Sequence, residues 1–131
     1  MKKHGLLNPD LNRAVARLGH TDLVVVADCG LPVPAQVPVI DLALVFGIPR
    51  FTEVLDALLA EIVVEAGTAA EEVRGTEADG WLTSRLLPLD APLAYIPHVE
   101  LKHRVAGAAF VVRTGETTPY ANVLLRCGVP F

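Results

Sequence analysis

The sequence predicts an α/β domain: a three-layer α/β/α sandwich around a mixed, mostly parallel six-stranded sheet. Three observations predict it. Short apolar runs rich in branched residues alternate with stretches whose apolar residues recur at helical spacing. The first run, Leu23 to Ala27, is apolar at every position, as in a strand covered on both faces. The chain has 131 residues and two cysteines, which suits one domain, residues 1–131, with a core that needs no disulfide.

The elements follow in order. Asn8-Pro9-Asp10 reads as a helix start: Asn8 can cap, Pro9 suits the first helical position, and Asp10 favours the positive helix end. Leu11, Ala14, Val15 and Leu18 then share a face, and Gly19 suits the position just past the end, so the first helix spans 9–18. Leu23 to Ala27 is the first strand, and Cys29 to Pro34 a loop. Val39 to Ala43 is a second strand, with Asp41 inside it. Pro49 opens a helix whose apolar face is Phe51, Val54, Leu55, Leu58, Leu59 and Ile62. A third strand is expected from Ile62 to Gly67, interrupted by Glu65. Ala69 to Leu87 reads as mostly helical, broken between Gly75 and Gly80. Leu93 to Ile96 is a fourth strand. Pro97-His98 opens a short helix reaching Ala106, with Glu100 and Arg104 spaced for an exposed pair. Ala108 to Arg113 and Asn122 to Cys127 complete the strands, and the segment between them is a loop by composition.

Composition narrows the function classes. Hydrophobic residues make up 52% of the chain, aromatic ones only 5%, and the mean hydropathy is +0.44. No window approaches the roughly 18 apolar residues that span a bilayer. Leu6-Leu7 is followed at once by Asn8, Pro9 and Asp10, so no signal sequence forms. A cytoplasmic location is expected, with the surplus apolar residues hidden in an oligomer. The net charge of −4 and the scattered basic residues argue against nucleic acid. With no CxxC, no HExxH, and His98 and His103 five apart, no metal site is expected; Cys29 and Cys127 read as reduced thiols.

Ligands of open α/β sheets gather beyond the carboxyl ends of strands. Asp28 stands at such an end, His98 follows the fourth strand, and Tyr120 and Asn122 stand at the entrance to the last one. His20 lies before the first strand. Each has a plainer reading. His20 could complement a helix dipole, and Asp28 could organise the turn after it by an Asx-type bond. His98 could serve as a cap, Tyr120 could be a half-buried aromatic, and Asn122 a turn residue. Thr21 and Asp22 could fix the loop before the strand, and Glu116, His4 and His103 read as solvated. Topology alone does not bring these groups together.

Three separated blocks carry a resemblance. Leu18-Gly19-His20-Thr21-Asp22 is followed by Asp28-Cys29-Gly30-Leu31-Pro32-Val33-Pro34. Arg113-Thr114-Gly115-Glu116 precedes Pro119-Tyr120-Ala121-Asn122-Val123 and Gly128-Val129. With Met1-Lys2-Lys3 and Leu7-Asn8, this order resembles the D-ribose pyranase family from end to end, a sugar mutarotase group that also includes L-fucose mutarotase. Thr21, Gly30-Leu31-Pro32 and Tyr120-Ala121-Asn122 stand where the fucose branch has other residues, which favours ribose. The stretch from Gly75 to Leu93 is expected to be shorter than the family's usual pattern.

The resemblance implies that His20 is the proton donor and that Asp28, His98 and Tyr120-Ala121-Asn122 bind the sugar. It implies no cofactor, and a cytoplasmic, ring-like homodecamer. Pyranose and furanose forms of D-ribose interconvert through the open aldehyde. That needs a proton delivered to the ring oxygen and one taken from the anomeric hydroxyl. An imidazole, with an ordinary pKa of about 6.5, can do either near neutrality. In this scheme Asp28 orients a hydroxyl or holds the imidazole. Alternatives are a mutarotase for another sugar such as L-fucose, a non-catalytic sugar-binding subunit, and a structural oligomer with a degenerate pocket.

Overall fold

The computed structural model describes residues 1–131. Helix α1 (Pro9–Val15) leads to strand β1 (Leu23–Ala27) and β2 (Val39–Asp41). Helix α2 (Phe51–Leu59), strand β3 (Val64–Ala70), helix α3 (Glu77–Leu86) and strand β4 (Leu93–Ile96) follow. Helix α4 (His98–Arg104), β5 (Phe110–Arg113) and β6 (Val123–Cys127) complete the chain.

The sheet has the order β2-β5-β1-β6-β3-β4. Pairs β2–β5, β5–β1 and β3–β4 are parallel, and β6 is antiparallel to both of its neighbours, β1 and β3. Five strands thus point one way, and their carboxyl ends line a single edge of the sheet. The last strand runs against them through the middle.

The alternation of side chains along β1 divides the core in two. Val24 and Val26 join Leu11, Phe51, Val54, Leu55, Leu58, Leu82 and Leu86 on the face covered by α1, α2 and α3. Val25 and Ala27 join Leu31, Val37, Leu101 and Val105 on the opposite face, under α4 and the loop after β1. Period-two alternation places successive residues on opposite faces. Burial on both faces is what an uninterrupted apolar run demands, and Val24 to Ala27 are fully buried. The three-layer reading therefore holds, with three helices on one face and one on the other.

Local chemistry sets the boundaries. The Asn8 side chain accepts the Leu11 N–H at 2.9 Å and caps α1. Glu100 and Arg104 form the exposed pair on α4, at 2.6 Å. The region after Ile62 differs from expectation. β3 continues to Ala70, and only a single 3-10 turn, Glu71–Val73, precedes the break at Arg74 to Thr76. Ala69 and Ala70 favour helices when isolated, but here they are buried between strands and helices, where small side chains are needed. The same crowding explains Gly67: a Cβ there would lie 2.5 Å from Leu86 Cδ1. Gly75, at φ +74°, makes the break, while Gly80 lies inside α3.

One apolar loop remains uncovered. Leu42 to Pro49 turns back on itself, with the Leu44 N–H donating to the Ile48 carbonyl at 3.0 Å. Its tip exposes Leu44 (76%), Val45 (56%), Phe46 (84%) and Ile48 (55%). The Gly47 N–H donates to the Gly115 carbonyl, and a Cβ on Gly115 would collide with the Ile48 carbonyl. The tip is therefore anchored to the sheet edge.

Candidate functional site

The carboxyl edge of the sheet gathers most of the expected residues. Asp28 leaves the end of β1 and meets Asn122, which leads into the antiparallel β6. The Asp28 N–H donates to Asn122 Oδ1 at 2.9 Å, and Asn122 Nδ2 donates to Asp28 Oδ2 at 2.8 Å. Asp28 Oδ1 also accepts the Gly30 N–H at 2.9 Å, the Asx-type turn that the residue type favours. Asn122 is fully buried, so this pair of hydrogen bonds fixes the backbone and the carboxylate of Asp28. Each oxygen keeps acceptor capacity for a ligand hydroxyl.

His98 begins α4 just beyond β4. Both carboxylate oxygens of Glu72 accept its backbone N–H, at 3.1 and 3.0 Å, so a residue from the turn after β3 caps the helix. The His98 ring meets the edge of Tyr120 with centroids 5.1 Å apart and planes at 81°. Its Nδ1 is buried without a hydrogen-bonding partner. Tyr120 sits at φ +63°, a left-handed conformation that bulky residues seldom adopt. The Asn122 N–H donates to the Tyr120 carbonyl at 2.7 Å, and Ala121 is buried beneath them. Asp28, His98, Tyr120, Ala121 and Asn122 thus form one neighbourhood of acceptors, donors and an aromatic edge, which is suited to the hydroxyls and carbons of a polyol.

His20 is not in that neighbourhood. It precedes β1, and the five residues of that strand span about 17 Å at ~3.3 Å each. Asp28 therefore does not hold the imidazole of its own chain. Glu65 on β3 does, at 3.0 Å from Nε2, and its other oxygen takes Arg126 at 2.7 Å. Thr21, at φ +70°, and its N–H bond to the Cys127 carbonyl at 2.9 Å set the turn that turns the ring outward. The imidazole is over half exposed.

Glu116 is the residue that the sequence reading placed wrongly. It is buried rather than solvated. Oε1 accepts the Thr117 and Thr118 N–H groups at 3.1 Å each and the Thr118 hydroxyl at 2.9 Å; Oε2 accepts the Phe51 N–H at 3.2 Å. Burial alone would raise its pKa. The donations from Thr118, Phe51 and Thr117 outweigh that and hold it below the ordinary carboxyl value. The stability that this carboxylate contributes is present above the ordinary range and is lost as pH falls through the lowered pKa. The only signal in the sequence was its place in Arg113-Thr114-Gly115-Glu116, followed by two threonines.

A cavity of about 410 Å³ adjoins the cluster, lined by Cys29, Leu44, Val45, Phe46, Arg113 and Gly115 among others. Cys29 and Cys127 are both free thiols. No group of three or more His, Cys, Asp and Glu side chains is arranged to hold a metal ion. No helix is long and apolar enough to cross a membrane.

Comparison with known proteins finds relatives that match along the whole chain. The chain is 56% identical over 131 residues to a D-ribose pyranase of Cutibacterium acnes, with both chains fully covered. It is 55% identical over 132 residues to one of Corynebacterium glutamicum, again end to end. The match to the Cutibacterium acnes protein spans 131 residues with both chains covered, so the Gly75–Leu93 region is not shortened relative to that protein. The structure of Bacillus subtilis RbsD complexed with D-ribose superposes with a TM-score of 0.94, at 43% identity over the whole of both chains. A fucose mutarotase of Streptococcus pneumoniae, crystallised with L-fucose, shares the fold: TM-score 0.80 and 24% identity over 95% of this chain and 94% of that one. The RbsD / FucU transport protein family model matches residues 1–130, and the chain belongs to that family.

Proposed function

We propose that this chain is a D-ribose pyranase, an isomerase that interconverts the pyranose and furanose forms of D-ribose by acid–base ring opening and closing. The observation that carries the reading is the Asp28–Asn122 and His98–Tyr120 cluster at the carboxyl edge, in a chain over half identical, end to end, to D-ribose pyranases.

The geometry supports a set of roles. Asp28, already fixed by Asn122 and Gly30, accepts a sugar hydroxyl through its free lone pairs. The half-buried His98 ring meets another, and Tyr120, packed against that ring, covers the sugar. Ring opening then needs a proton on the ring oxygen and removal of the anomeric proton, and closure on a different hydroxyl reverses that traffic. His20 is the proton donor. Because it stands at the other end of β1, it serves the cluster of a neighbouring copy, with Glu65 holding its ring. The exposed Leu44-Val45-Phe46 tip beside the cluster supports such an assembly, which we take as a homodecamer in the cytoplasm. The two free thiols accord with a reducing compartment.

The test is saturation-transfer NMR of D-ribose with purified protein. Faster pyranose–furanose exchange, saturable in protein, is expected. Saturable ribose binding with an unchanged exchange rate would overturn the catalytic reading and leave a sugar-binding subunit. Acceleration of L-fucose exchange in preference to ribose would overturn the substrate.

A further inference from the structure

Apart from His98 on α4, two loops carry the proposed sugar ligands, residues 28–30 and 117–122, and neither belongs to a helix or strand. Something must hold them in register, because a misplacement of even an ångström costs binding and rate. Their bonds converge on one residue. The carboxylate of Glu116 gathers the Thr117 and Thr118 N–H groups and the Thr118 hydroxyl. The Thr118 carbonyl in turn accepts the Ala121 N–H at 3.3 Å, between Tyr120 and Asn122. The Glu116 backbone carbonyl accepts the Cys29 N–H at 2.9 Å, next to Asp28. The second carboxylate oxygen ties the whole to the Phe51 N–H at the start of α2. Thr114 completes the frame. Its hydroxyl donates to the Ala27 carbonyl at 2.8 Å and accepts the Glu116 N–H at 3.1 Å.

We infer that Glu116 is a positioning residue for the sugar site, fastening the Asp28 loop and the Tyr120–Asn122 loop to the rigid start of α2 without touching the sugar. The inference rests on the pyranase reading above. Helix α2 is anchored in the core by Phe51, Val54, Leu55 and Leu58, so it provides a fixed point. A carboxylate is needed because four donors, three of them main-chain N–H groups, point at its two oxygens. An amide in its place would turn an N–H₂ toward at least one of those donors.

The experiment measures ribose exchange by NMR against sugar concentration, well below the melting temperature of every variant. Glu116→Gln keeps the volume and loses one acceptor oxygen. Thr118→Val removes only the hydroxyl bond and should fold even if the first variant does not. Trp81, the only tryptophan, lines a cavity with Glu116, Thr117 and Thr118, so its emission reports whether the surroundings are intact. In folded protein the expected result is a rise in KM of about tenfold for Glu116→Gln and about threefold for Thr118→Val, with kcat within about threefold of wild type. A merely stabilising role would lower the melting temperature and leave KM unchanged. An unchanged KM in either folded variant, or a fall in kcat with KM preserved, overturns the assignment. If the wild-type protein accelerates no exchange, the pyranase reading fails separately. The positioning role is then read from the ribose-induced rise in melting temperature, which Glu116→Gln must weaken for the role to stand.

Discussion

The two ends of β1 are built differently. At the carboxyl end Asp28 is locked by Asn122 and Gly30, His98 is capped by Glu72, and Glu116 fastens the loops from behind. The polar groups there are committed to one another, with lone pairs and the His98 Nδ1 left over. At the amino end His20, Glu65 and Arg126 form an open, solvated triad on the surface. One end is a socket preformed by a single chain; the other is an exposed prong steadied only by Glu65. The contrast teaches that one strand can carry polar groups at both ends that never meet within the chain.

The largest effect that can break this contrast is at His20. Loss of a positioned acid should lower the rate of ribose exchange by about 10²–10⁴-fold in His20→Ala, with no change in melting temperature. If the prong serves another copy, mixing refolded His20→Ala with Asp28→Asn chains should restore about a quarter of the sites. No recovery on mixing would place the acid within the chain, with His98 as the candidate. Next comes the apolar tip. Phe46→Asp places a charge where the assembly is expected to bury a ring, and sedimentation should show smaller species with at least about tenfold less activity per chain.

A smaller change probes the socket alone. Asn122→Ala leaves the Asp28 N–H without its partner and removes a donor from its carboxylate. A loss of about 1–3 kcal/mol in denaturant unfolding is expected, with a weakened ribose-induced thermal shift. An Asn122→Ala chain as stable as wild type would mean that the socket is not preformed. At the prong, Glu65→Gln should alter activity only a few-fold and stability by less than about 1 kcal/mol, since the pair is exposed.

The smallest effect compares the two thiols, one at each end. Cys127 is pushed up to about 11 by burial, with Asp22 and Glu65 adding to it. At pH 8 only about one Cys127 in a thousand is thiolate. Mass spectrometry after brief iodoacetamide treatment should find the label on Cys29, and D-ribose should slow that labelling through the adjoining cluster. Equal labelling of both cysteines would contradict the buried, charged surroundings of the amino end.

Much of this was legible in the residues. β1 and β4 fall where their apolar runs place them, and the Asn8 cap is a local bond that needs no tertiary context. The carboxyl-edge rule pointed to Asp28, His98, Tyr120 and Asn122, but topology alone did not bring them together; the Asp28–Asn122 and His98–Tyr120 contacts do. Three things were not legible. Ala69 and Ala70 read as helix because their strand role comes from packing, Ala69 in the core that holds Leu86 and Ala70 in the core under α4. Glu116 read as solvated because its four donors come from the turn after it and from a helix 65 residues earlier. The His20–Asp28 bracket was visible, but a strand keeps its two ends apart, and the imidazole pairs with Glu65, 45 residues later in sequence, instead.

The antiparallel β6 carries a last consequence. It is the final strand in chain order, yet it lies between β1 and β3 and is the only bridge between the β2-β5-β1 ladder and the β3-β4 ladder. During translation the two ladders can form but cannot be joined until residues 123–127 have emerged from the ribosome. Asn122, the clasp on Asp28, arrives in the same moment. The Asp28–Asn122 clasp and the complete sheet therefore form together.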